Sequence, residues 1–233
     1  MKPIIAGFAL VLGAIVSPAS LAAKEPVKAP AEGLVEVEKG AFQRTWVNPD
    51  FDFQAYNKLV IAPNGQVDYR DVGPAKNSRS SALRSNGQKF GINDTDRDRF
   101  ERFTSESFSK QLARSKKFEL VDLAAEEKIE PGTLIVRGHV LDVVSNVAPP
   151  VAGSGYVLSN MVGEAAVVLE IIDPVSGKTV AYAAERSVIQ RRGNSSIDTM
   201  MESNSVTAFA EVKRWAGRIG SRLAKELDAS HAV

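Results

Sequence analysis

The stretches TLIVRGHVLDVV at residues 133–144, GEAAVVLEIID at residues 163–173 and KTVAYAAERSVIQ at residues 178–190 decide the fold. All three are rich in β-branched residues, and each reads as a long strand. Between the second and third lies Asp173-Pro-Val-Ser-Gly177, where Pro presets φ and Gly accepts a positive φ, so the pair closes into a β-hairpin. Gly138, in the middle of the first run, signals a bulge or a close backbone approach.

Toward the N-terminus, Trp46, Phe51, Phe53 and Tyr56 lead into Lys58-Leu-Val-Ile-Ala-Pro63, a short strand stopped by Pro, Asn and Gly. The four aromatics read as a layer covering the core. Asp94, Thr95 and Asp96 supply an N-cap and negative charge to a helix that runs to Ser115, with Phe100, Phe103, Phe108 and Leu112 on its inner face. Residues 118–123 read as another short strand. Residues 206–228 form the clearest amphipathic helix, with Phe209, Val212, Ala216, Ile219, Leu223 and Leu227 on one stripe and Lys and Arg opposite. Ala216 and Gly220, four apart on that stripe, allow close approach to a sheet or a second helix. The order of elements predicts an α+β fold: a single domain over residues 41–230, with a mainly antiparallel sheet and two long helices packed on it.

The chain has 233 residues, 44% hydrophobic and 24% charged, the balance of a globular protein. It is cysteine-free, which excludes a disulfide scaffold, a thiol nucleophile, a zinc ribbon and a lipid-anchored N-terminal Cys. The formal net charge of +1 gives no basic excess, so no nucleic-acid partner is expected.

Lys2 precedes an apolar stretch over residues 3–16, followed by Ser17, Pro18 and the small residues of 19–23. That order matches a secretory signal peptide over residues 1–23, with cleavage near Ala22 and Ala23. The stretch is shorter than the ~18 apolar residues a membrane span needs. The expectation is a periplasmic or secreted protein with no transmembrane span in its mature chain. Residues 24–40, with Pro26, Pro30 and Gly33, have the composition of a flexible linker.

Two segments read as candidate contact surfaces. Residues 64–94 form a long polar connection in which Arg70, Lys76, Arg79, Arg84 and Lys89 outnumber Asp68 and Asp71, a solvated insertion whose charge suits an anionic partner. Residues 147–162 mix Pro149, Pro150, Gly153 and Gly155 with apolar side chains, and Tyr156, Val157, Leu158 and Met161 are the candidate partner-binding residues. Such a segment either folds back as a lid on its own core or presents a surface to an envelope protein or a membrane.

Catalytic signals are sparse. His139 lies three residues before Asp142, and strand alternation places them on opposite faces, where they do not chelate one metal. His139 therefore reads as a structural histidine, and His231, near the end of the chain, as lying outside the ordered core. Gly153-Ser154-Gly155 lacks the spacing of a nucleophile elbow, and no phosphate-binding fingerprint follows a strand. The acidic pairs Glu126-Glu127 and Asp96 with Asp98 sit in polar surroundings. The sequence assigns no catalytic residue, no cofactor and no metal ligand.

The aromatic lead into a Pro-terminated strand at residues 46–63, the strand running into Asp142-Val-Val-Ser-Asn146, Glu170 with the hairpin at residues 173–177, and Trp215-Ala216 in the last helix together resemble a family of bacterial envelope proteins, mostly lipoproteins, known as domain of unknown function 3313. The resemblance implies an envelope address and this fold, and it brings no activity or site residues. Because this chain has no Cys after the signal, lipid anchoring is not carried over. The combined reading is an exported, non-catalytic binding or scaffolding module of unknown oligomeric state. An envelope hydrolase with an unrecognised polar site and a small-molecule carrier are the alternatives.

Overall fold

The three β-rich runs stand side by side at the centre of one sheet. The structure is a computed structural model and describes residues 31, 33–63, 65–72, 89–122, 129–147, 158–159, 161–190, 201–202 and 205–231. In chain order the strands are β1 (Val35–Glu36), β2 (Arg44–Val47), β3 (Lys58–Ile61), β4 (Val67–Tyr69), β5 (Glu119–Val121), β6 (Thr133–Ser145), β7 (Leu158–Ser159), β8 (Met161–Asp173), β9 (Lys178–Gln190) and β10 (Met201–Glu202). The helices are α1 (Asp94–Leu112) and α2 (Ser205–Ser230), with a 3-10 turn at Phe53–Ala55.

The main sheet has eight strands in the order β1-β2-β9-β8-β6-β3-β5, with β4 also paired to β6, and β7 and β10 form a separate two-stranded pair. Strands β6, β8, β9, β2 and β1 are antiparallel, whereas β3 pairs in parallel with both β5 and β6. The connection from β3 through α1 to β5 accounts for the parallel edge, since only a crossover can join parallel neighbours. The fold is α+β, a mostly antiparallel open sheet with both helices on one face.

Alternation explains which side chains meet the helices. Ala165, Val167, Leu169 and Ile171 of β8 pack with Leu134 and Val136 of β6 and with Val212, Trp215, Ile219 and Leu223 of α2 in the main core. On the opposite face, Val168 packs with Trp46, Tyr182 and Ala184 in a smaller cluster. Both faces of β8 are thus buried, which is why its sequence is apolar almost throughout. Trp46 belongs to this second cluster, so the leading aromatics divide between the two faces, with Phe53 in the main core.

The hairpin turn forms as expected: Gly177 has φ +67°, and the Asp173 carboxylate accepts hydrogen bonds from the amides of Val175 and Ser176, each at 3.0 Å. The cap of α1 is Asn93, one residue before the expected Asp94, and it accepts from the Asp96 amide at 2.9 Å, while Asp94 and Asp96 lie in the first turn. Where α1 ends, Asp228 of α2 accepts from Ser115 Oγ at 2.6 Å and from the amides of Lys116 and Lys117, each at 3.1 Å.

Three further readings change. Val35–Glu36, within the stretch read as linker, pairs with β2 as an edge strand; its side chains are exposed, so backbone hydrogen bonds make it and no hydrophobic pattern announces it. His231 is ordered, its amide donating to Leu227 O at 3.0 Å and its ring meeting Phe118 edge-on at 5.5 Å. Asp142 stands on the same face as His139, because the ladder slips between Leu141 and Val144 and Asp142 has φ +58°. The bulge turns two successive side chains to one side and breaks the alternation on which the opposite-face reading rested.

Candidate functional site

A cavity of about 450 Å³ lies between α1, α2 and the sheet, within the range of small-molecule sites. Beside it the chain meets β6 at two points: Ala62 N donates to Val136 O at 2.8 Å, and Val140 N donates to Gln66 O at 2.8 Å. Gly65 is pressed against the Gly138 carbonyl at this point, with no room for a Cβ. The close backbone approach expected at Gly138 is therefore present, and the bulge sits four residues further on.

Gly138 faces the helices, since its ladder partner is Leu169 and its neighbours Val136 and Val140 both pack against the main core. Its own backbone does not require glycine. It lacks a positive φ, and a Cβ there would meet Leu169 Cδ2 at an ordinary 3.6 Å. The missing side chain leaves volume under α1 where the other inward positions of β6 fill it.

The floor is apolar: Val167, Leu169, Trp215, Ala216 and Ile219 are all buried. Trp215 is held in place by donating from Nε1 to Ser187 Oγ at 2.8 Å. The rim is polar, with Glu101 and Ser105 of α1 exposed to solvent. Ser109 closes its hydroxyl onto Ser105 O at 2.8 Å. Thr104 differs: the residue lines the same cavity, but its Oγ1 is shielded from solvent and has no hydrogen-bond partner among the described residues. Such a shielded, unpaired hydroxyl is unfavourable by ~1–3 kcal/mol.

Glu101 receives the Tyr69 hydroxyl at 3.1 Å, and the Arg97 guanidinium lies 4.8 Å from the centre of the Tyr69 ring. Burial, reinforced by Glu101, pushes the Tyr69 phenol well above its usual range, so Tyr69 stays a donor. The His139 side chain alternates to the other face of the sheet, opposite Val168, and its Nδ1 accepts the Gln66 amide at 3.3 Å, so only its backbone borders the cavity.

On the other face of the sheet, the Asp142 carboxylate pairs with both Arg70 and Arg186. Hydrogen bonding from Arg70, joined by Arg186, outweighs burial and holds the Asp142 carboxyl well below the usual carboxylate range. Lys89 pairs with Glu164 at 2.8 Å nearby. Two cations of the long polar connection are thus fastened to the sheet, while Lys76, Arg79 and Arg84 lie outside the described residues.

Of the candidate contact residues, Tyr156 and Val157 lie outside the described residues, as do Ala22 and Ala23. Leu158 belongs to β7, paired with β10, and Met161 opens β8 opposite Gln190. The cavity was not read from the sequence, although a signal was there. Phe100, Thr104, Phe108 and Leu112 recur every four residues on α1, and Thr104 is a polar residue inside an apolar stripe.

The family model described as "Protein of unknown function (DUF3313)" matches residues 27–222, most of the chain. The chain belongs to the DUF3313 family. No curated protein sequence matches it. Among solved structures, the DUF3313 chain is similar to a neuraminyllactose-binding hemagglutinin homolog from Helicobacter pylori (16% identity, 76% of this chain and 86% of that one, TM-score 0.39). It is also similar to a Xanthomonas campestris protein of family DUF330 (12% identity, 76% and 86%, TM-score 0.36). A third is PelC from Paraburkholderia phytofirmans, solved as a dodecamer (13% identity, 77% and 94%, TM-score 0.36). Among the described residues, no helix is long and apolar enough to cross a membrane.

Proposed function

We propose that this DUF3313 chain is an exported envelope module that binds a small ligand in the cavity beneath α1 and releases it unchanged. The observation that carries the reading is Gly138: a glycine without conformational need, at the one inward position of β6 where a side chain would fill the cavity. A strand interior loses stability at such a glycine, so the residue is best explained by the space it leaves. The polar rim and apolar floor give the site the make-up of a binding pocket, a few polar groups fixing orientation over a hydrophobic wall.

The export half of the proposal rests on the order of Lys2, the apolar stretch and the small residues of 19–23. N-terminal sequencing of protein from the envelope fraction should begin between Ser20 and Glu25; an intact Met1 overturns it.

The binding half is tested with N-phenyl-1-naphthylamine, an uncharged probe that brightens in apolar surroundings. The probe should bind saturably at one site per chain. Ser105→Trp, which places a bulky side chain on the exposed rim, and Gly138→Val, which fills the wall, should each abolish binding without lowering the melting temperature. Absence of saturable binding, or binding unaffected by both substitutions in folded protein, overturns the reading.

A further inference from the structure

We infer that the ligand of this cavity is a single-chain amphiphile whose head is uncharged or cationic, an inference that rests on the binding role proposed above. The apolar floor formed by Val167, Leu169, Trp215 and Ile219 suits a hydrocarbon chain, since it offers contact without polar partners. A rigid polar molecule would leave its own donors and acceptors unpaired there.

The head group is selected at the rim. Among the described residues that line the cavity, Glu101 is the one with a formal charge, it is negative, and none is Lys or Arg. Arg97, one turn before Glu101 on α1, is turned aside, with its Nε donating to Ile92 O at 3.0 Å and its guanidinium over the Tyr69 ring. An anionic head would meet the Glu101 carboxylate with no compensating partner.

The test is displacement of N-phenyl-1-naphthylamine from the full chain by three ten-carbon competitors below their micelle concentrations: 1-decanol, decylamine and decanoate. Decanol and decylamine should displace the probe at concentrations about tenfold below decanoate, the size of one like-charge contact at a partly solvated site. Glu101→Gln should narrow that gap while leaving probe binding in place. If decanoate competes as well as the others while Ser105→Trp still abolishes probe binding, the head-group inference fails and the binding role stands. If the probe does not bind at all, the binding role itself fails.

Discussion

Gly220 of α2 lies directly against the Phe108 carbonyl of α1, with no space between them for a Cβ. Gly217, one turn earlier, faces the flexible Gln111 side chain, whose Cγ would lie 3.4 Å from an added Cβ. The two glycines therefore respond differently to the same substitution. Gly220→Ala should destabilise the protein by about 1–3 kcal/mol, because backbone must move apart and that outweighs the gain in helix propensity. Gly217→Ala should be neutral or stabilising by up to about 1 kcal/mol. Urea unfolding of the two variants checks the contrast, and equal effects refute the close contact.

The Glu185 carboxylate takes two hydrogen bonds from Arg222, at 2.6 and 2.7 Å, and clamps α2 to β9. Arg222 also donates to Ala41 O at 3.2 Å, which ties the segment before β2 to the same point. Glu185→Ala should cost about 2–3 kcal/mol, below the figure for a fully buried pair because Arg222 is partly open to water. The double variant Glu185→Leu with Arg222→Leu should recover part of that loss, since no charge is then left unpaired. Additive losses in the cycle would mean that the two residues act independently.

Asp142 should add an acid-sensitive increment to stability. Its folded pKa is depressed by Arg70 and Arg186, so its contribution is fully present above the unfolded value of ~3.9 and is lost as pH falls through the folded value. Asp142→Asn keeps a residue that tolerates positive φ while removing the charge. The stability gap between the parent and this variant should be constant from neutral pH to about 5 and shrink below about 4. Denaturant melts across that window measure it, and a gap that widens on acidification contradicts the assignment.

Thr104→Val should raise stability by ~1 kcal/mol, because a methyl group replaces a hydroxyl that is shielded from water without a protein partner. Thermal unfolding of ligand-free protein is the measurement. A lower melting temperature would show that the hydroxyl is satisfied within the fold.

The local pattern of the chain determined the elements and their inward faces. The runs at 133–144, 163–173 and 178–190 could be strands only, Asp173 to Gly177 could hardly avoid turning, and the stripe ending in Leu223 and Leu227 had to be covered, because propensity and periodicity are properties of neighbouring residues. The family resemblance likewise followed from those segments. Tertiary structure alone decided the rest. The slip at Asp142 depends on pairing with β8, which brings Asp142 to the face it shares with His139 and within reach of Arg70 and Arg186. The edge strand at Val35–Glu36 depends on backbone hydrogen bonds that leave no apolar signature. The cavity is space enclosed by residues from 61 to 219, and volume between distant segments has no period in the sequence. Its two local traces, Thr104 in an apolar stripe and Gly138 in a strand, gained their meaning when α1, α2 and β6 were brought together.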